Sequence, residues 1–124
     1  MKLTNAKMFE SIPVLAQAKD ETGLLGYAIA VNLRKLSAET VEFAQKRAEL
    51  LAFYGTDKGA GQYELDKEQQ AAFYEALAPF AQIETDVAVL QVSPEVFYGG
   101  NLTSGQMYAL GWMVKEDEDN GAGH

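Results

Sequence analysis

Apolar residues recur every three or four positions across residues 26–55, and no proline or glycine interrupts residues 27–54. Such spacing places side chains on one face of an α-helix. Eight positions follow steps of four and three, and they are Ile29, Leu33, Leu36, Thr40, Phe43, Arg47, Leu50 and Tyr54. The pattern predicts one long, uninterrupted helix, which ends at Gly55 because glycine readily adopts the left-handed conformation.

Further apolar residues widen this face. They are Ala30, Val41, Ala44, Ala48 and Leu51. A broad face favours coverage by other segments of the same chain over pairing along a narrow seam. A homo-oligomer formed through the long helix is therefore the second alternative.

A shorter helix is predicted after the long one. Asp66 followed three residues later by Gln69 is typical of a capping box. Apolar residues then repeat at helical spacing until Pro79, which is expected to disrupt the last turn. These residues are Ala72, Phe73, Ala76, Leu77 and Phe80. This helix is expected to pack antiparallel on the long helix.

The remaining segments predict short elements. Thr4 or Asn5 caps a helix near the start, and Thr103 with Gln106 begins a last helix. Residues 56–62 read as a flexible turn, whereas residues 63–65 and 85–92 are predicted to pair as a small β-ribbon. The sequence thus predicts a mainly helical α+β domain over residues 1–114, followed by an acidic, disordered tail over residues 115–124.

Composition narrows the class of protein. The chain has no cysteine, so a disulfide framework, a thiol nucleophile and a thiolate metal site are excluded. It shows no N-terminal run of signal-peptide character and no apolar run long enough for a membrane span. We therefore expect a protein that works in the cytoplasm of a cell and has no membrane partner.

Charge is distributed unevenly over a net charge of −8. Residues 1–62 contain eight Lys or Arg and seven Asp or Glu. Residues 63–124 contain two Lys or Arg and eleven Asp or Glu. Nucleic-acid affinity depends on cations that neutralise phosphates, so direct binding of DNA or RNA is not expected. The acidity either maintains solubility or lets the anionic half meet a basic surface on a partner.

The residues predict no catalytic, cofactor-binding or metal-binding group. The single histidine is His124, in the predicted tail, where no second group would hold it. The carboxylates of the long helix suit a solvated, ion-paired face, with Glu39 near Arg34 and Lys35 and with Glu42 one turn before Lys46. An enzyme is accordingly the least favoured class, and no cofactor is predicted.

Aromatic residues give the candidate interface. The dipeptide Phe-Tyr occurs three times, and consecutive helix residues point about 100° apart, so one ring of each pair can be buried while the other reaches the surface. Exposed Tyr and Trp bring a large contact area to protein interfaces at a low cost in entropy. We predict an interface role for Tyr98, Tyr108 and Trp112.

Four segments in order carry a family resemblance: SIPVL near the start, GYAIAVNLRKL opening the long helix, FYGTDKGAGQYELD after it, and TSGQMYALGWMV near the end. This order resembles an uncharacterised family of small proteins encoded by tailed phages and prophages of Gram-positive bacteria. The resemblance covers nearly the whole chain. It implies a phage accessory or virion-related protein of no known activity, and it assigns no functional residue.

The leading functional hypothesis is a non-enzymatic phage or prophage protein that acts through protein–protein contacts, in virion assembly or as an accessory subunit. Its partner would be a phage or host protein, and its location the host cytoplasm or the virion. The alternative is an acidic inhibitor of a host defence enzyme or of a nucleic-acid-binding enzyme.

Overall fold

Helices dominate the fold, which we describe from a computed structural model that covers residues 1–116. The helices are α1 (Asn5–Gln17), α2 (Gly23–Glu39), α3 (Val41–Tyr54), α4 (Lys67–Ala81), α5 (Pro94–Tyr98) and α6 (Ser104–Ala109), followed by a 3-10 turn (Gly111–Met113). The strands are β1 (Lys2–Thr4), β2 (Thr56–Gly59), β3 (Gln62–Glu64) and β4 (Glu84–Asp86). The mainly helical α+β class predicted from the sequence is confirmed.

The predicted single long helix is wrong, because the structure divides it at Thr40 into α2 and α3. Thr40 is buried, and its hydroxyl donates to the Leu36 carbonyl at 2.8 Å. A threonine that bonds the carbonyl four residues earlier tends to bend a helix. The apolar spacing continues through the break, so periodicity could not reveal it. The predicted start is also wrong by three residues, since α2 begins at Gly23.

Two apolar clusters hold the helices together. The larger one lies between α1, α2 and the segments after α4, and its most buried members are Met8, Leu15, Ala28, Ile29, Leu36, Phe97, Leu110 and Met113. The smaller one joins α3 to α4 through Phe43, Phe73 and Leu77. Long apolar side chains thus fill both interfaces.

Helices α3 and α4 pack antiparallel, as predicted. Near the start of α3, the Lys46 ammonium lies 5.4 Å from the ring centroid of Phe80, late in α4. At the other end, Gln69 near the start of α4 donates to the Thr56 hydroxyl at 3.2 Å, just after α3. The capping box at Asp66 forms as predicted, whereas α4 continues past Pro79 to Ala81.

The predicted β-ribbon is replaced by two ribbons. Residues 63–65 were expected to pair with residues 85–92, but β3 pairs with β2 and β4 pairs with β1, both antiparallel. The supposed flexible turn is itself a hairpin, whose tip takes positive φ at Gly59, Ala60 and Gly61. Closing a short hairpin costs little chain entropy, so β3 pairs with the adjacent β2 rather than with a strand that is distant in sequence.

Beyond β4, residues 87–92 lie outside any named strand, and a tight turn forms where the Val89 N–H donates to the Val87 carbonyl at 2.9 Å. Val92 forms an isolated parallel bridge with Val114, and the Lys115 N–H donates to the Val92 carbonyl at 2.7 Å. Lys115, the first residue of the predicted tail, is therefore bonded to the domain. Residues 117–124 of that tail, which include His124, lie outside the described residues.

None of the helices within residues 1–116 combines the length and the apolar character that crossing a membrane requires.

Candidate protein-contact site

Tyr98 lies at the end of α5 with its side chain turned to solvent. Ser93 caps this helix by accepting from the Val96 N–H at 3.2 Å, and Pro94 takes the first helical position. Phe97 is fully buried, whereas Tyr98 is 60% exposed, and the two rings meet edge to face with centroids 5.1 Å apart. The buried ring therefore anchors the helix that presents the exposed one.

Tyr108 is held in the same way by α6. Thr103 and Gln106 form the predicted capping box, with bonds of 2.9 and 3.1 Å between the side chain of each and the main-chain N–H of the other. Leu110, two residues after Tyr108, is fully buried, while Tyr108 is 89% exposed. The phenol ring thus stands on a short helix fixed at both ends.

Trp112 differs from the two tyrosines because it contacts α1. Its indole N–H donates to the hydroxyl of buried Ser11 at 3.1 Å, and Ser11 in turn donates to the Lys7 carbonyl at 2.7 Å. Gln91 also donates to the Trp112 carbonyl at 2.9 Å. The partly buried indole therefore connects the C-terminal segment to the first helix, and only its exposed part remains for a partner.

The three predicted interface residues all lie next to the larger apolar cluster. The residues beside them, Phe97, Leu110 and Met113, belong to the larger apolar cluster. Within residues 1–116, no hydrogen bond or ring contact joins Tyr98, Tyr108 and Trp112 to one another. The same core thus supports all three residues, and among the described residues their side chains form no hydrogen bond or ring contact with one another.

Two open hollows flank the loop between α5 and α6. One, of about 280 Å³, lies between the end of α1 and the start of α6, and the other, of about 310 Å³, lies between the start of α2 and α5. Glu21 lines both, and its carboxylate accepts from the Asn101 N–H at 2.9 Å. This bond fastens the α5–α6 loop to the loop before α2.

A third hollow lies where α3 meets α4, and we call it the α3–α4 groove. It has a volume of about 380 Å³ and is lined by Asn5, Glu39, Glu42, Phe43, Lys46, Phe80, Ile83 and Thr85. Asn5 fixes its wall, because its main-chain N–H donates to Ile83 and its side-chain amide to Phe80, each at a carbonyl. The sequence gives no sign of this groove, since its residues come from three separate stretches of the chain, at residues 5, 39–46 and 80–85.

The carboxylates of the predicted long helix are exposed, as expected for a solvated face, but their predicted pairing with Arg34, Lys35 and Lys46 is wrong. Within residues 1–116, Glu39 and Glu42 form no salt bridge. Lys46 pairs instead with Glu49 at 3.1 Å, and the Lys35 ammonium donates to the Ala88 carbonyl. Helical spacing allows the pair of Lys46 with Glu49, three residues apart, but it could not reveal the contact of Lys35, whose partner is 53 positions away.

An ion pair at the edge of the β1–β4 ribbon alters one protonation equilibrium. The Met1 ammonium donates to the Asp86 carboxylate at 2.7 Å. This hydrogen bond, followed by the charge of the ammonium, lowers the pKa of Asp86 below its usual value. The pair is structural in character, because it joins the two strands of one ribbon.

The remaining motifs do not assemble a reactive site. In the part of the chain that the structure describes, no three His, Cys, Asp or Glu side chains gather as they would around a metal ion. The glycine-rich segment after α3 is the tip of the hairpin, where Lys58 pairs with Glu64 at 3.6 Å. A phosphate-binding loop would instead lead from a strand into a helix.

Comparison with protein-family models, with curated proteins and with solved structures gives no match for this chain.

Proposed function

We propose that this chain is a non-enzymatic phage or prophage protein that binds another protein, during virion assembly or as an accessory subunit. The observation that supports it is the presentation of Tyr98 and Tyr108 on capped helices beside buried anchors. Folding has already fixed these helices, so binding would not have to order them, and such pre-organisation raises affinity. The phage assignment is supported by the order of sequence segments described above.

The tyrosines are suited to an interface by their chemistry. A phenol ring offers a large apolar area and one polar group, with only two side-chain torsions to restrict. Scattered exposed apolar residues are normal on protein surfaces, so exposure by itself decides nothing. Tyr74 supplies the comparison, since it is 59% exposed on α4 and also follows a buried phenylalanine.

Affinity capture with three matched proteins tests the proposal: the natural chain, the double variant Tyr98→Ser/Tyr108→Ser, and the control Tyr74→Ser. Lysate from cells in which the phage is replicating serves as the source of partners. We expect the natural chain and the control to retain the same protein, and the double variant to retain at least about tenfold less, as for central interface aromatics. Equal retention by all three would contradict the assignment of the site.

Deletion of the gene from its phage tests the biological role. Loss of an assembly or accessory protein should lower particle yield on every host. If yield falls only on hosts that carry a defence system, the acidic inhibitor becomes the better explanation. Unchanged yield on all hosts would count against both roles.

A further inference from the structure

We propose that the α3–α4 groove binds a segment of a partner protein in which an apolar side chain is flanked by Lys or Arg. This inference rests on the proposed function, because it assumes that the chain acts by contact with proteins. It uses none of the three predicted interface residues, and it assigns a chemical character to the partner.

The floor of the groove is apolar. Phe43 is buried at its base, whereas Phe80 and Ile83 are 36% and 51% exposed. A hollow of about 380 Å³ lies within the usual size range of ligand pockets, which begins near 300 Å³. An inserted apolar side chain would cover the exposed parts of Phe80 and Ile83 and remove them from water.

The rim of the groove carries two carboxylates whose charges are not paired by a neighbouring cation among the described residues. Glu39 and Glu42 both line it, and neither has a salt bridge within residues 1–116. Lys46 is the one basic residue in the lining, and its ammonium is paired with Glu49 and lies over Phe80. The rim therefore offers two carboxylates to a cation from outside the groove, and this complementarity selects a basic segment.

The position of Glu39 strengthens the argument. It is the last residue of α2, where the partial negative charge of the helix end disfavours a carboxylate, and the last turn has no basic residue. Glu42 lies in the first turn of α3, where a carboxylate is favoured. A negative charge at Glu39 thus does not stabilise the end of α2, whereas a bound cation would meet Glu39 and Glu42 together.

Selection from a random library of twelve-residue peptides on the purified natural chain tests the proposal. Each selected peptide is then measured against Glu39→Gln/Glu42→Gln and against Glu75→Gln/Glu116→Gln, which removes two charges outside the groove lining. We expect enrichment of Lys or Arg next to Leu, Ile or Phe. Binding should weaken about three- to tenfold in the groove variant, from the loss of two exposed charge pairs, and should be unchanged in the control.

Stability measurements distinguish a loss of binding from a loss of folding. The groove variant should unfold at about the same temperature as the natural chain, because removing the charge of Glu39 relieves the end of α2 while removing the charge of Glu42 costs the first turn of α3 a similar amount. Salt should weaken binding to the natural chain more than binding to the groove variant. A groove variant that loses binding only because it melts early would overturn the proposal.

Three other outcomes would also overturn it: selected peptides without basic residues, equal binding to both double variants, or failure to select any peptide. If the natural chain instead forms a dimer that the groove variant does not, the occupant is a second copy. The proposal and the proposed function fail separately, because Tyr98→Ser/Tyr108→Ser should keep the full peptide affinity. Loss of peptide binding in that variant would place the site at the tyrosines.

Discussion

The side chain of Asn32 forms two hydrogen bonds with the main chain of Leu90: it donates to the carbonyl at 2.9 Å and accepts from the N–H at 2.7 Å. Asn32 is fully buried on α2, and Leu90 lies in the segment after β4, outside any named strand. The side-chain amide of Asn32 thereby takes the place of a neighbouring strand. It supplies the hydrogen-bond partners that the main-chain N–H and carbonyl of Leu90 require.

Replacing Asn32 with alanine removes few atoms but should lower the stability of the protein substantially. Two main-chain groups of Leu90 would lose their partner, at a cost of about 1–3 kcal/mol for a buried group left unsatisfied. We expect a decrease of about 2–4 kcal/mol in the free energy of unfolding, measured by urea denaturation. Asn101→Ala is the control, because its amide forms an exposed, long bond of 3.4 Å to Glu21, and it should cost under about 0.5 kcal/mol.

Thr40→Ala should make the junction between α2 and α3 more helical. The substitution removes the hydroxyl that bonds the Leu36 carbonyl and places a strong helix former at the break. Cα chemical shifts of residues 39–41 should move toward helical values, while stability falls by about 1 kcal/mol from the lost buried contacts. Ser37→Ala, at an exposed position, should change neither. Unaltered shifts in Thr40→Ala would mean that packing, not the hydroxyl, sets the break.

Asp86 should give the stability of the β1–β4 ribbon an acid dependence. Its pKa is lowered in the folded state by the Met1 ammonium, so the folded state favours the ionised carboxylate. The contribution is complete above the unfolded pKa of 3.8 and is lost as the pH falls through the lower folded pKa. Asp86→Asn should therefore lower the melting temperature at pH 7 and much less at pH 2. Glu84→Gln on the same strand is the charge control, because Glu84 forms no salt bridge within residues 1–116, and an NMR titration of Asp86 with an ordinary pKa would refute the account.

Ala60→Gly should stabilise the β2–β3 hairpin. Ala60 has φ of 54°, in the left-handed region that disfavours residues with a Cβ atom. Relief of this strain outweighs the extra freedom of glycine in the unfolded chain, and we expect a gain of about 0.5–1 kcal/mol in thermal or urea unfolding. Gly61→Ala, at φ of 76° with no atom near its added Cβ, should lose a similar amount. If both substitutions destabilise, strain does not govern this turn.

Local signals in the sequence predicted the helices well, because caps and apolar spacing are decided by neighbours in the chain. Asp66 with Gln69 and Thr103 with Gln106 form the bonds that their spacing indicates. The break at Thr40 was missed because its cause, a hydroxyl bond inside an apolar face, leaves the spacing unchanged.

Contacts between distant segments could not be predicted in this way. Strand β1 has only three residues, and its partner β4 is 80 positions away, as the pairing of Thr4 with Glu84 shows. The α3–α4 groove likewise depends on how Asn5 approaches Phe80. The exposure of Tyr98 and Tyr108 could be anticipated because it follows from helix geometry beside a buried neighbour, whereas their role as an interface stays a prediction.

Residues 87–92 form main-chain hydrogen bonds with both the first residue and the last described part of the chain. Val87 exchanges main-chain bonds with Met1, and Val92 does so with Met113 and Lys115. A nascent chain on the ribosome therefore lacks the last partners of this segment until residue 115 has emerged. Folding should accordingly finish only after residue 115 has emerged, and a chain shortened to residue 110, which lacks both bonds to Val92, should be less stable than the full chain.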